Sequence, residues 1–220
     1  MEINADFSKD AIVRPGEVDW VPSPLPGVER IMLDRIGDEV ARATSFVRYA
    51  AGSKFDAHEH ALGEEFLVID GVFSDASGDY GPGSYVRNPP GTSHAPWSEN
   101  GCTIFVKLRQ FQEGDLEQKV FNIHDGPYVD GRIPGADRMY LHEYGEEMVW
   151  ISKIEPNTYF PEHVHPGGEE FVVIEGEICD ENHVWPQGSW VRFPDGSRHS
   201  PFTKTGCLLW VKTGHLSNNM

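Results

Sequence analysis

Apolar residues along this chain come in short runs, such as Phe66 to Ile69 and Phe171 to Ile174, each followed within two residues by glycine. Runs of that length bounded by turn residues predict buried strands rather than helices. Longer mixed stretches, Val28 to Ile36 and Glu39 to Tyr49, predict two paired strands leading into Gly52. Val72 to Asp75, Gly83 to Arg87 and Thr103 to Arg109 continue and close that block. With 23 glycines and 16 prolines for turns, the expected class is mainly β. Residues 1 to about 19 show no period and are expected to be an irregular lead-in or a short pairing strand. Trp20 to Gly27 is proline-rich and predicts extended, wrapping chain. Apolar density falls between about Gln110 and Arg132, where a linker is expected, its only apolar patch being Val120 to Ile123. The tail from Gly214 to Met220 is polar and expected to fray.

The pattern then repeats. About 23 of 53 positions from Phe55 to Lys107 are identical to those 105 residues further on, without a gap, so the chain contains one unit twice. Pro26-Gly-Val-Glu-Arg-Ile-Met-Leu returns as Pro134-Gly-Ala-Asp-Arg-Met-Tyr-Leu, so the leading strands are duplicated too. Two fused β-barrels related by a pseudo-two-fold are expected, over about residues 1–112 and 113–220.

The repeat carries chemistry. His58 and His60 lie two apart at the end of a β-like run, which sends both imidazoles to one face. Glu64 follows after a turn, and His94 lies beyond a Pro-Pro-Gly corner. Three imidazoles and a carboxylate suit a divalent metal. His163, His165, Glu169 and His199 repeat the set. Glu65 and Glu170 adjoin the two carboxylates, so the choice of Glu64 and Glu169 rests on their spacing to Gly71 and Gly176. Four donors can close a tetrahedral zinc, while an octahedral ion keeps positions open for a substrate, and donor type does not decide between zinc, Fe(II), Mn, Ni and Cu. Arg87 with Arg192 and Lys107 with Lys212 match between copies and are candidates for substrate contact or for plain solvated positions. Phe66, Phe171, Tyr85 and Trp190 are expected in core packing rather than along a cavity.

Gly52 to Gly71 and Gly83 to Ser98 resemble the two cupin motifs, G-x5-H-x-H-x3-E-x6-G and G-x5-P-x-G-x2-H-x3-N, with Ser98 in place of the final Asn. The chain is similar in particular to the ChrR-type cupins, through His-x-His-x-x-Gly-Glu-Glu-Phe, Gly-Ser-Tyr-Val-Arg-Asn-Pro-Pro-Gly-Thr-Ser-His-Ala-Pro and the later Gly-Cys before Ile-Phe-Val-Lys. The resemblance implies tandem jelly-roll barrels, a zinc site built from these four residue types and a part in a stress response. It also implies an anti-sigma role, but that family's helical sigma-gripping domain with its His-x3-Cys-x2-Cys motif is replaced here by another cupin, so a sigma partner is not expected. Related cupins include Fe(II) dioxygenases of small dicarbonyl or hydroxyaryl ketones, which is the rival reading. No catalytic residue stands out.

Composition narrows the partners. A net charge of −17, from 35 acidic and 18 basic residues, argues against nucleic acid and anionic membranes. The N-terminus lacks a signal-peptide pattern and no apolar run approaches a membrane span, so a cytoplasmic location is expected. Three cysteines without a Cys-x-x-Cys pair predict neither a disulfide framework nor a thiolate zinc site. Cys102 and Cys207 are repeat partners expected to be buried. A doubled cupin can satisfy its own sheet edges, so monomer or homodimer is expected.

Overall fold

The structure, a computed structural model, describes residues 1–216. Among them every regular element is a strand. The chain gathers into two compact units that interleave in sequence: Met1–Ala5 with Asp19–Asp125, and Asp6–Val18 with the chain from Gly126 onward.

In the first unit the large sheet runs Glu2–Ile3, Val28–Gly37, Ala41–Tyr49, Cys102–Leu108, Glu64–Gly71, Ser84–Asn88 and Lys119–Asn122. A smaller sheet holds Gly78–Tyr80, Phe73–Asp75, Trp97–Ser98 and Ser53–Lys54, and a separate two-stranded pair joins His58–Glu59 to Ser93–His94. The second unit repeats this plan. Its large sheet runs Val129–Asp130, Ala136–Tyr144, Glu147–Ile154, Cys207–Thr213, Glu169–Cys179, Trp190–Phe193 and Ala11–Val13. His163–His165 pairs with Ser197–His199. The main-β, tandem jelly-roll expectation thus holds.

Both weakly patterned segments turn out to be edge strands. Ala11–Val13 pairs with Trp190–Phe193 in the second unit, and the apolar patch expected in a linker pairs as Lys119–Asn122 with Ser84–Asn88 in the first. A three- or four-residue strand is too short to show a period, but each covers what would otherwise be an open row of backbone donors. The polar tail begins with packed residues. His215 and Leu216 are packed, His215 Nε2 lying 3.1 Å from Glu170, while the rest of that tail, 217–220, lies outside the described residues.

Strand alternation sorts the side chains of Glu64–Gly71 into two sets. Phe66 and Val68 enter a core with Phe73, Tyr80, Val86, Ile104 and Val106, and Glu64 shares their face. The second unit buries Phe171 and Val173 with Trp185, Val191, Leu209 and Val211. Each central strand bulges, at Ile69 and Ile174, just before the motif glycine. Gly71 and Gly176 then have φ of 73°, and a Cβ there would lie 2.1 and 2.2 Å from the carbonyl oxygens of Gly101 and Gly206. Only glycine fits both demands.

Gly71→Ala and Gly176→Ala should therefore each destabilise the unit that carries them by at least the ~1–3 kcal/mol typical of backbone strain, read as a fall in thermal midpoint. A midpoint unchanged by either substitution would contradict this account.

Candidate metal centre

The hairpin-like pairing of short strands brings the histidines together. His58 stands opposite His94 and His163 opposite His199 in register. Ring centroids in the first unit are 4.6–5.4 Å apart, with planes crossed at 77–85°. In the second they are 4.6–4.9 Å apart. Crossed rings at this spacing bring nitrogens, not faces, toward one point. One donor atom each from His58, His60, Glu64 and His94 lies within 4.8 Å of the others, and the same is true of His163, His165 and His199. Glu169 stands slightly apart from that trio, with Oε2 3.4 Å from His165 Nε2 and 3.5 Å from His199 Nε2. Glu64 Oε2 is 3.1 Å from His60 Nε2 and 3.5 Å from His94 Nε2.

The other ring nitrogens explain why these face inward. His58 Nδ1 meets the Asp56 carbonyl at 3.2 Å and His163 Nδ1 the Pro161 carbonyl at 2.9 Å. A carbonyl only accepts, so these rings carry their proton on Nδ1 and present a lone pair at Nε2. Thr92 Oγ1 donates to the Pro89 carbonyl at 2.7 Å and so accepts from His60 Nδ1 at 2.9 Å. Ser197 Oγ lies 3.2 Å from His165 Nδ1 in the matching place. His94 Nδ1 faces the Asp75 carboxylate at 3.2 Å. Among the described residues His199 Nδ1 meets no hydrogen-bond partner.

Buried polar atoms ordinarily find partners, yet Nε2 of His60, His94, His165 and His199 and Oε2 of Glu169 make no hydrogen bond of adequate geometry. The short His60–Glu64 separation is a close contact without hydrogen-bond alignment. Converging, desolvated lone pairs that do not satisfy one another are what a divalent cation requires, so the residues fit one in each unit. His165 and His199 are neutral at physiological pH: burial and the neighbouring imidazoles push His165 down to about 4 and His199 to about 3. Burial likewise lowers His94, partly offset by Glu64. The carboxylates differ. Burial pushes Glu169 up to about 7, with Arg138 opposing weakly. Burial also pushes Glu64 upward, but His60, His94 and His58 outweigh it and hold Glu64 below its ordinary value.

Glu65 and Glu170 face away. Glu65 accepts from Tyr85 at 2.8 Å and from Arg87 at 3.3 Å, and Glu170 accepts from Trp190 at 2.8 Å. Arg87 also binds Asp115 at 2.5 Å, Lys107 reaches Thr44 at 3.0 Å, Lys212 pairs with Glu147 at 2.7 Å, and Arg192 lies over the Phe7 ring. These matched cations are buried on the sheet face opposite the imidazoles, neither solvated nor placed to touch a ligand there. All three cysteines are buried free thiols, and burial raises each, Cys207 to about 12.

The second unit also has a partly open cavity of about 160 Å³, comparable to the roughly 150 Å³ that accommodates benzene in an engineered core. His163, Glu169 and His199 form one wall, and Trp150, Ile154, Phe160, Phe171, Trp185 and Leu209 supply apolar surface. Arg132 and Arg138 add positive charge, Arg138 lying 4.8 Å from the Trp150 ring centroid. Strand register equates Ile154 with Tyr49, each opposite the repeat cysteine of its unit. Tyr49 packs edge-on to Phe55 and Phe73 at 5.2 and 5.7 Å. Sequence reasoning missed Asp75, Thr92 and Arg138. The identity of Asp75 and Asp180 at the repeat spacing was an available signal for the first.

The ChrR Cupin-like domain family matches residues 8–112 and again 116–217. The chain belongs to that family. No curated protein matches this ChrR-type bicupin in sequence. Solved structures do match it in fold. A Nostoc punctiforme protein provisionally described as a dioxygenase shares 16% identity at a TM-score of 0.72, covering 99% of this chain and 84% of its own. A single-residue variant of Bacillus subtilis oxalate decarboxylase shares 12% at 0.63, covering 93% and 77%. A Leptotrichia buccalis cupin 2 conserved barrel protein shares 11% at 0.60, covering 88% and 91%. At these identities the likeness concerns the fold alone.

His60→Ala should abolish metal uptake by the first set alone and His165→Ala by the second alone, measured as metal per chain. Using those variants to isolate each set, the second should release its ion at higher pH. Below about 7 a proton competes for Glu169, whereas Glu64 is held low, and metal affinity falls as a ligand gains its proton. Simultaneous release, or release from the first set at higher pH, would contradict this.

Proposed function

We propose that this protein is a metal-binding bicupin of the ChrR type that senses or binds a small molecule, with zinc as the resident ion. The observation that carries the reading is the set of buried, unpaired Nε2 atoms around Glu64 and Glu169. His58, His60, Glu64 and His94 would hold one ion, and His163, His165, Glu169 and His199 the other. Nitrogen and oxygen donors in fours match zinc's habit. Bound there, the metal supplies Lewis acidity toward an anionic oxygen.

The chain's own residues do the rest. Trp150, Phe171 and Trp185 offer apolar surface to a small molecule in the cavity, and Arg132 and Arg138 favour a ligand with negative charge. An Fe(II) dioxygenase acting on a small dicarbonyl or hydroxyaryl ketone is the second reading, favoured by that cavity lying against His163, Glu169 and His199. On either reading the acidic surface disfavours nucleic acid and anionic membranes. No helix among the described residues is long and apolar enough to cross a membrane. A cytoplasmic location, no sigma-factor partner and a monomer or homodimer complete the proposal.

Untagged protein grown with ample metal should contain up to two ions per chain, mainly zinc, by elemental analysis. Less than about half an ion per chain would contradict the reading. Oxygen uptake by Fe(II)-reconstituted protein with β-diketones or hydroxyaryl ketones, abolished by His199→Ala, would favour the dioxygenase over the sensor.

A further inference from the structure

The two donor sets match in ligand type but not in what holds them. In the first unit Asp75 ends the strand Phe73–Asp75. Its Oδ1 accepts from the Ser77 amide at 2.7 Å, leaving Oδ2 to face His94 Nδ1 at 3.2 Å. The repeat partner of Asp75 is Asp180, and the side chain has the same opportunity. It is engaged elsewhere. Asp180 Oδ1 accepts from the Asn182 and His183 amides at 2.7 Å each, and both its oxygens lie 3.2–3.3 Å from His183 Nδ1. His199 Nδ1 is left buried without a partner among the described residues.

One position accounts for the difference. His183 is the repeat counterpart of Gly78, which has no side chain and nothing within 4 Å of where a Cβ would stand. Because Gly78 cannot compete, Asp75 is free to turn to His94. His183 is further steadied by stacking on Trp185, at 5.4 Å and 20°. Asp180 nonetheless remains close enough to His199 for its charge to act on the ring. A carboxylate on the far nitrogen of a ligating imidazole fixes its tautomer and orientation and makes the ring more basic, and its loss commonly lowers metal affinity by about 10–100-fold. The carboxylates reinforce the contrast. Glu64 belongs to a group of four donors within 4.8 Å of one another, while Glu169 falls outside its trio.

Resting on the metal-binding reading above, we propose that the N-terminal set is the tight, retained metal site and the C-terminal set a weaker, exchangeable one, with Asp75 as the positioning residue for His94 and His183 as the residue that diverts Asp180 from His199. The exchangeable ion is then the one beside the cavity, where a small molecule would meet it.

Competition with a chromophoric zinc chelator, using full-length protein, tests this. His165→Ala leaves the first set and His60→Ala the second. The first should hold zinc at least tenfold more tightly. Asp75→Asn in the His165→Ala background should weaken the first set by about 10–100-fold. His183→Gly in the His60→Ala background should tighten the second set, since it restores the residue of the first copy and frees Asp180. That variant lies in a turn whose glycine version already folds in this chain, and a gain in affinity cannot arise from misfolding. Equal affinities, a tighter second set, or a second set unmoved by His183→Gly would each overturn the proposal. Failure of both single-set variants to bind zinc would instead overturn the metal-binding reading itself, and this inference with it.

Discussion

Everything at the candidate metal centres depends on the hydrogen bonds made by the outward ring nitrogens. A buried neutral imidazole presents a lone pair at Nε2 when Nδ1 keeps the proton, and an acceptor at Nδ1 favours that state at every ring but His199 and His165, where none is fixed. Backbone carbonyls of Asp56 and Pro161 do this for the exposed His58 and the half-buried His163. The Thr92 hydroxyl does it for the deeply buried His60, and Ser197 Oγ stands in the matching place beside His165. The acceptors come from the short strands and turns that form the mouth of each jelly roll, so fold and donor state are one constraint. The cost is a cluster of unsatisfied nitrogens, which a divalent cation would relieve.

The opposite faces of the same central strands solve a different problem. Glu65 and Glu170 directly follow the proposed carboxylate ligands, yet strand alternation sends them to buried partners, Tyr85 and Arg87 in one unit, Trp190 and His215 in the other. A buried charge needs a partner of this kind. It also means that a shift of one residue in register would exchange a metal-facing carboxylate for one that belongs to an ion pair. The bulges at Ile69 and Ile174 and the glycines after them lie on the other side of the strands' short apolar runs, away from Glu64 and Glu169. The register at the donor end is therefore undisturbed.

Much of this was legible in the residues. Period-two alternation put His58 and His60 on one face, while joining His94 to them rested on the resemblance to the cupin motifs and on the repeat. The edge strands were legible only in part: a short pairing strand was one expectation for residues 1 to about 19, but its place and partner, and the strand at Lys119–Asn122, were not. Ala11–Val13 and Lys119–Asn122 are too short to carry a period, and the partner strand of the former lies some 180 residues away. The fate of Arg87, Arg192, Lys107 and Lys212 was also hidden, since a cation in a strand can be solvated, catalytic or buried against a carboxylate, and only the packed neighbours decide. The difference between Gly78 and His183 was visible as a letter change, but its meaning required seeing where Asp180 turns.

The most direct test of the central claim is the protonation pattern of the histidine rings, read by long-range proton–nitrogen NMR of metal-free protein and again after zinc is added. His58, His60, His94 and His163 should carry a proton on Nδ1, and the Nε2 resonances of these rings and of His165 should shift on zinc binding. Rings protonated on Nε2, or Nε2 resonances indifferent to zinc, would contradict the account.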